Sequence, residues 1–242
     1  MAMNANSQEI AAPPASPSSA DSETLYRLLS SRFSCRAYRP EAVPRATISE
    51  ILRLAQRTAS WCNSQPWQLT ITSGAGIDRF RAAYCQQVLD HAAAPDFDFP
   101  KEYPGVYLER RRECGYQLYR AVGIAREDRE ATVHQLMENY RFFGAPHVAI
   151  ITTEASLGVY GALDCAAYAA NFMLAAHSLG VASITQAALA AHPQFIRQHF
   201  ALPQNRLVVC GISFGFADPQ HPINQFRTHR AQVEETVSWV DA

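Results

Sequence analysis

Two apolar strand segments enclose a long apolar helix, and this arrangement constrains the fold more than any other feature of the sequence. The segments "HVAIITT" (147–153) and "LVVCGISFG" (207–215) have the length and apolar character of strands, and the second is typical of a buried one. Between them, "YGALDCAAYAANFMLAAHSLG" (160–180) predicts a long helix that is apolar on most faces. The sequence therefore predicts a core in which strands and helices pack together.

The first half of the chain predicts further helices and one strand. A short helix follows the cap candidates Asp21 and Ser22, and alternation around Leu69 and Ile71 indicates a half-buried strand. The segment "IDRFRAAYCQQVL" (77–89) also predicts a helix. A stronger helix begins at Pro44 and should end near Thr58, because apolar residues recur at i, i+3, i+4 and i+7 (Ile48, Ile51, Leu52, Ala55).

Two charged helices are predicted in the middle of the chain, around "VYLERRRECGYQLYRAVGI" (106–124) and "REDREATVHQLMENY" (126–140). We expect them to form a surface lid over about residues 90–140. Because helix pairs intervene between strands, the fold class is α+β (mixed α/β) rather than a doubly wound sheet. Residues 22–242 are expected to form a single domain, and residues 1–21 a disordered tail.

Composition excludes several classes of function. A net charge of −1 provides no overall basic field to attract nucleic acid. The six cysteines lie more than 20 residues apart, which favours reduced thiols in a cytoplasmic protein and no zinc site. The first 20 residues do not have the pattern of a secretory signal, and we expect no membrane span.

Arginine-containing segments are the first candidates for a binding site. In "SRFSCRAY" (31–38), Arg32, Ser34 and Arg36 project to one side if the chain is extended, which suits an anion such as phosphate. Near the end of the chain, "NQFRTHR" (224–230) adds Arg227 and Arg230. Each segment alone is also compatible with solvated surface arginines. The apolar residues near the C-terminal end, however, indicate that the second segment packs on a protein surface.

Three other motifs are weak. "GAGIDR" (74–79) carries Arg79 where a dinucleotide fingerprint requires a third small residue. "GISFG" (211–215) has the spacing Gly-x-Ser-x-Gly of a hydrolase nucleophile, but it lies inside an apolar strand pattern. The eight histidines form no helix pair with metal-ligand spacing, so no metal site is predicted.

The most unusual segment is "SWCNSQPW" (60–67), which follows a helix and in which four polar side chains, Ser60, Asn63, Ser64 and Gln65, cluster with two tryptophans. Together with "SRFSCRAY", "LGVASITQAAL" (179–189) and "CGISFGFADPQHPINQFRTHR" (210–230), and in this order, it resembles the FMN-dependent nitroreductase family. The resemblance covers roughly residues 23–240. It implies a central, mainly antiparallel sheet flanked by helices, and a homodimer whose protomers exchange C-terminal segments.

The resemblance also implies which residues bind FMN. Arg32, Phe33 and Ser34 match the cofactor-binding segment, with Arg32 and Ser34 on the phosphate and ribityl side and Arg36 near the pyrimidine edge. Arg230 would close over the phosphate. The isoalloxazine ring would lie beside Gln186, Ala187 and Ala188, and Ser60, Trp61 and Asn63 would face the flavin of the neighbouring protomer.

The implied activity is reduction of nitroaromatic compounds with NADPH or NADH, in a ping-pong cycle that gives nitroso and hydroxylamine products. No side chain is assigned as a general acid or base, because the flavin would carry the hydride. Quinone, enone or flavin reduction on the same site, or FMN binding without turnover, are the alternatives. Phe142 and Phe143 suit core positions better than contact with a substrate.

Overall fold

The computed structural model describes residues 19–241, which fall into two units. The first unit contains helix α1 (Ser19–Ser31) and Arg32, and the second begins at Phe33. The predicted first helix is confirmed, but it begins two residues before Asp21 and so includes the last residues assigned to the tail. The rest of that predicted tail, residues 1–18, lies outside the described residues.

The second unit alternates helices with four strands. In chain order these elements are α2 (Arg45–Ala55), β1 (Gln68–Ser73), α3 (Ala75–Asp90), α4 (Val106–Ala121), α5 (Arg129–Met137), β2 (His147–Glu154), α6 (Gly158–Ser178), β3 (Ala182–Gln186), α7 (Pro193–His199) and β4 (Arg206–Gly215).

The four strands form one sheet in the order β1-β2-β4-β3, and every neighbouring pair is antiparallel. Strand β2 is central, and its residues 147–153 are all buried, because helices cover both faces of the sheet. The register places Thr70, Ile150, Gly211 and Gln186 in one row across the sheet. The predicted α+β class and the antiparallel sheet are therefore confirmed.

The sheet separates two apolar cores. On one face, α2 and α6 pack against residues such as Ile151 and Ile212, and Tyr168 and Phe172 are the largest buried side chains of α6. On the other face, Phe80 and Tyr84 of α3 and residues of α7 cover Val148 and Ile150. Phe142 and Phe143 are both buried, as expected for core residues.

Helix α6 is the central helix of the first core. With the turn before it, the stretch Ala155–Ser178 is long and apolar enough to cross a membrane by length and composition alone. Its apolar character has a simpler explanation, because Cys165, Tyr168 and Phe172 are buried in the core. Gly161 lets the helix approach β2 closely, since a Cβ at this position would clash with Thr153.

The structure differs from the predictions at short elements and helix ends. Helix α2 ends at Ala55 rather than near Thr58, and Pro44 is its N-cap. The strand β3 and the helix α7 were not predicted. Helices α4 and α5 lie where the two charged helices were predicted, and none of their residues is buried.

Two of the three weak motifs do not have the structural context that their predicted functions require. Gly74 lies between β1 and α3, but the next strand, β2, is antiparallel to β1, so no parallel βαβ unit forms there. Ser213 is fully buried within β4, and its hydroxyl lies 2.5 Å from Gln186 Oε1. It therefore cannot serve as an exposed nucleophile.

Candidate functional site

The segment 33–38 runs past one end of the sheet. Ser34 pairs in parallel with Ser183 of β3, whose carbonyl accepts a hydrogen bond of 3.2 Å from the Cys35 amide. Further on, Tyr38 pairs with Ala217, just beyond β4. Burial raises the pKa of Cys35 to about 11, so this thiol is neutral near pH 7 and is not a nucleophile.

Asn224 holds the Arg36 backbone in place. Its buried side chain accepts a 2.9 Å hydrogen bond from the Arg36 amide and donates to the carbonyls of Ala37 (2.8 Å) and Asp218 (2.9 Å). All the hydrogen-bonding atoms of the amide are therefore used in joining the segment 33–38 to the C-terminal segment. The sequence contained "NQFRTHR" as an arginine-bearing segment, but nothing in it indicated this role for Asn224.

The Arg36 side chain is a half-buried cation. It donates to the Ser34 carbonyl at 3.2 Å, and its guanidinium carbon lies 5.7 Å from the centroid of the Phe226 ring. Burial lowers its pKa. Among the described residues, no carboxylate lies within ion-pair distance of this guanidinium. The charge is therefore available to an anion or to an electron-rich edge of a ligand.

Phe33 packs against Arg227. The guanidinium carbon of Arg227 lies 4.1 Å from the ring centroid, and Arg227 Nη1 donates to the carbonyls of Asn224 (2.7 Å) and Phe226 (2.9 Å). Two arginine-bearing segments that are almost 190 residues apart in sequence are thus adjacent in space, as the 188-residue separation of the Arg36–Asn224 bond also shows.

Gln186 ends strand β3 and is buried. Its side chain is fixed at both ends, with Oε1 close to Ser213 Oγ and Nε2 donating 2.9 Å to the Asn139 carbonyl. Ala187 is exposed and Ala188 is half-buried, directly after this fixed residue. The backbone at Ala187 can therefore face a ligand, while the Gln186 side chain is occupied inside the protein.

The polar loop 60–65 has a constrained backbone. Cys62, Asn63 and Gln65 have φ values of 51°, 53° and 46°, a region that non-glycine residues rarely adopt. The Ser60 hydroxyl accepts from the Gln65 amide at 3.0 Å, and Gln65 Nε2 lies 3.2 Å from Asn63 Oδ1. Part of the polar cluster therefore serves to hold the loop itself.

Asp164 of α6 attaches this loop to the core, a role that was not predicted from the sequence. Its carboxylate accepts from the Trp61 amide at 3.2 and 3.3 Å and from the Ser64 hydroxyl at 3.5 Å. The Trp61 ring is 59 % exposed and contacts Tyr160 edge-on, with ring centroids 4.4 Å apart. An acidic residue in an otherwise apolar helix was the available signal.

The polar loop and the segment 33–38 lie near opposite ends of the sheet. The Pro66 carbonyl accepts 3.0 Å from Arg206 Nη2 at the start of β4, whereas Tyr38 donates 2.9 Å to the Ser213 carbonyl near its end. Seven residues of strand separate these two points, which corresponds to roughly 20 Å at about 3.3 Å per residue. The loop that carries Ser60, Trp61 and Asn63 and the segment that carries Arg36 are therefore attached to opposite ends of β4.

Arg230 lies in the exposed C-terminal segment. Its Nη1 donates to the hydroxyl of Thr228 at 2.9 Å and to the His229 carbonyl at 3.0 Å. The same side chain lines a cavity of about 530 Å³ between α4 and the C-terminal segment, together with Arg110 and Cys114. Arg32, the remaining candidate, follows α1 in the N-terminal unit.

A cavity adjoins Arg36. Its volume is about 760 Å³, within the range of sites for small organic ligands, and its wall includes Tyr38, Phe143 and residues of α5 such as His134. Burial raises the pKa of Tyr38, so its hydroxyl stays protonated. Among residues 19–241, no group of three or more His, Cys, Asp and Glu side chains is placed to hold a metal ion.

Relatives of known activity match almost the whole chain. The nitroreductase NfnB of Mycolicibacterium smegmatis is 35 % identical over 224 residues, covering 92 % of this chain and 95 % of that protein. A 4-nitrobenzoate reductase of Nocardioides sp. is 32 % identical over 227 residues, covering 90 % of each chain.

A solved structure has the same architecture. The crystal structure of the FMN-dependent nitroreductase NfnB from Mycobacterium smegmatis in complex with NADPH superposes with a TM-score of 0.86 at 34 % identity, covering 91 % of this chain and 99 % of that one. The profile of the Nitroreductase family matches residues 29–216, which include every strand of the sheet. The chain belongs to the nitroreductase family.

Proposed function

We propose that this protein is an FMN-dependent oxidoreductase that uses NADPH or NADH to reduce nitroaromatic compounds. The observation that carries the proposal is the half-buried Arg36, which is held by Asn224 beside a cavity and has no carboxylate partner among the described residues. The relatives support it, since they include a 4-nitrobenzoate reductase and an FMN-dependent nitroreductase seen with NADPH.

The residues present suit FMN. A phosphate requires cationic donors, and Arg230 lines a cavity of about 530 Å³ from which it can reach one. We propose that Arg32 and Ser34 contact the phosphate and ribityl side, beside Phe33. When bound, FMN supplies two-electron chemistry between a nicotinamide and an acceptor. The role of Arg36 is to place positive charge at the electron-rich edge of the ring.

In this proposal, a second protomer completes the other face of the flavin site. Ser60, Trp61 and Asn63 lie near the opposite end of the sheet from Arg36, so we propose that they complete the flavin site of a partner chain. Exposed apolar residues support this assembly, because Tyr160 and Leu163 of α6 and Trp239 of the C-terminal segment are each more than half exposed in the described part of the chain. A homodimer with exchanged C-terminal segments accounts for both observations.

The remaining parts of the proposal concern the substrate side. Helices α4 and α5, within about residues 90–140, act as a lid on the body of a single domain, and the protein works in the cytoplasm. Gln186 fixes the end of β3, so that the backbone at Ala187 and Ala188 lies against the ring. Trp61 presents an exposed aromatic surface to a planar substrate.

The nicotinamide and the nitro compound use the same surface in turn. A pocket that stacks one planar ring cannot hold both over the same atom, so the oxidised nucleotide leaves before the acceptor enters. The nitro group then receives electrons in pairs, which gives first the nitroso compound and water and then the hydroxylamine.

Initial-rate kinetics test this function. FMN-loaded protein should oxidise NADPH or NADH over many turnovers only when a nitroarene is added, and double-reciprocal plots should give parallel lines. Intersecting lines would reject the shared surface. Protein that remains colourless after incubation with excess FMN, or that shows no nitro-dependent turnover with either nucleotide, would reject the function itself.

A further inference from the structure

A surface cavity at the start of α4 combines aromatic rings with arginines. Its volume is about 440 Å³, and Tyr103, Tyr107, Arg110 and Arg111, which we call the Tyr–Arg surface, form most of its wall. Tyr107, Arg110 and Arg111 are spaced i, i+3 and i+4 on the helix, so their side chains project to the same side. Glu102 is the carboxylate in this wall.

The rings and the guanidinium groups are accessible. Tyr107 is 60 % exposed and Tyr103 is 38 % exposed. The guanidinium carbon of Arg111 lies 5.1 Å from the centroid of the Tyr103 ring, which holds this arginine over one face of the ring. Arg110 is 3.6 Å from Glu235, but both side chains are about half exposed, so this pair is weak and exchangeable.

Arg110 also joins this cavity to the one that contains Arg230. It lines both the 440 Å³ cavity and the 530 Å³ cavity between α4 and the C-terminal segment. Cationic side chains therefore continue from Arg230, the proposed partner of the FMN phosphate, through Arg110 to Arg111. An anionic ligand extending out of the flavin site meets positive charge along this path.

We infer that the Tyr–Arg surface binds the adenosine 2′-phosphate end of NADPH, an inference that rests on the proposed use of a nicotinamide nucleotide. Adenine stacks on the exposed Tyr107 ring, as bases stack on aromatic side chains elsewhere. Arg110 and Arg111 bind the 2′-phosphate, because a guanidinium group matches phosphate oxygens and distinguishes NADPH from NADH. The protein therefore prefers NADPH.

Steady-state kinetics with NADPH and with NADH separate the contribution of the arginines from that of Tyr107. Arg111→Gln and Arg110→Gln should each raise the KM for NADPH by roughly 10-fold and leave the KM for NADH within about 2-fold, because NADH has no 2′-phosphate. Tyr107→Ala should raise both KM values by a similar factor, since adenine is common to the two nucleotides. Tyr107→Phe keeps the ring and should behave as the original protein.

Matched controls lie on the same helix. Arg112 lines neither cavity, so Arg112→Gln should leave both KM values unchanged, and Tyr116→Ala should do the same. If Arg112→Gln raises the KM for NADPH as much as Arg111→Gln does, the effect comes from general surface charge and the assignment is wrong. Equal losses for NADPH and NADH in Arg111→Gln would also overturn it.

A binding measurement makes the result independent of turnover. Calorimetric titration of FMN-loaded protein with adenosine 2′,5′-bisphosphate should show binding that Arg111→Gln weakens by roughly 10-fold, whereas 5′-AMP should bind less tightly and respond little. This titration stands even if no nitroarene is reduced, so it separates the two proposals. Equal affinity for the two nucleotides in the unsubstituted protein would refute the 2′-phosphate site.

Discussion

At the scale of single residues, three arginines of the candidate site donate hydrogen bonds to neutral groups. Arg36 donates to the Ser34 carbonyl, Arg227 to the carbonyls of Asn224 and Phe226, and Arg230 to Thr228 and His229. A carbonyl orients a guanidinium group without cancelling its charge, so positive charge remains available to a bound anion.

The Arg230 side chain is therefore expected to contribute directly to FMN affinity. Arg230→Ala should weaken the binding of FMN by about 1.5–3 kcal/mol, because the phosphate loses a charged hydrogen-bond partner. The control is Arg53→Ala, since Arg53 is exposed on α2 and paired with Glu50 at 2.7 Å. Fluorescence titration of FMN measures both, and an unchanged dissociation constant in Arg230→Ala would remove this residue from the site.

His147 links pH to stability. It is 2 % exposed, its Nε2 accepts a 2.9 Å hydrogen bond from the Val43 amide, and burial lowers its pKa below the usual value near 6.5. The unfolded chain therefore binds a proton here more readily than the folded protein. The free energy of unfolding should fall as the pH drops below about 6.5, by at most about 1.4 kcal/mol per pH unit from this residue.

Chemical denaturation at pH 7.5 and pH 5.5 measures this dependence. His147→Gln should be less stable at both pH values but should lose less stability between them than the original protein does. His134→Gln is the control, because His134 is exposed on α5, and it should keep the original dependence. A His147→Gln protein with an undiminished pH dependence would mean that other groups cause the acid effect.

At the scale of elements, the loop 60–65 depends on α6. Asp164→Ala removes the acceptor of the Trp61 amide, so this amide should exchange hydrogen faster and FMN should bind more weakly, by about 0.5–1.5 kcal/mol. Asp164→Asn retains one acceptor oxygen, so its amide exchange rate and its FMN affinity should lie between those of Asp164→Ala and the original protein. Unchanged amide exchange in the loop of Asp164→Ala would show that the backbone holds its conformation without α6.

The same elements show what the sequence could predict. Helix α2 was predictable because its apolar residues recur at helical spacing, and α6 because its apolar segment is long and apolar on most faces. Strands β2 and β4 were predictable because both are short apolar runs. Strand β3 and helix α7, of five and seven residues, are too short for a period to be visible, and β3 owes its place to pairing with β4.

The candidate site was predictable only by its motifs. The resemblance supplied the residue types, including Arg36, Asn63 and Arg230. The positive φ angles of Cys62, Asn63 and Gln65, and the bond between Asn224 and Arg36, depend on tertiary contacts that local propensity does not encode. For the same reason, the separation of the loop 60–65 from Arg36 along the sheet appeared only in the structure.

At the scale of the whole molecule, the exposed apolar residues of the C-terminal segment are consistent with the proposed dimer. Val233, Val237 and Trp239 are 60 %, 40 % and 80 % exposed, although the segment reaches α4 through the Arg110–Glu235 pair. Exposed apolar side chains in a tail of this length are typical of a surface covered by another chain.

Deleting residues 232–242 should therefore destabilise the proposed dimer and lower the FMN content with it. A cut after Pro222 would be less informative, because Ile223 and Asn224 are buried and Asn224 positions Arg36. Light scattering and the flavin-to-protein absorbance ratio measure the outcome. A truncated chain that remains a flavin-loaded dimer would count against an exchanged C-terminal segment.

The most direct measurement of the proposed function is anaerobic reoxidation. FMN-loaded protein is reduced with one equivalent of NADPH and then mixed in a stopped-flow instrument with a nitroarene, a quinone or an enone at equal concentration. The nitroarene should restore the oxidised flavin spectrum fastest, with the nitroso compound and water as products of the first electron pair. If the nitroarene leaves the flavin reduced while the quinone or the enone reoxidises it, the protein is not a nitroreductase in function.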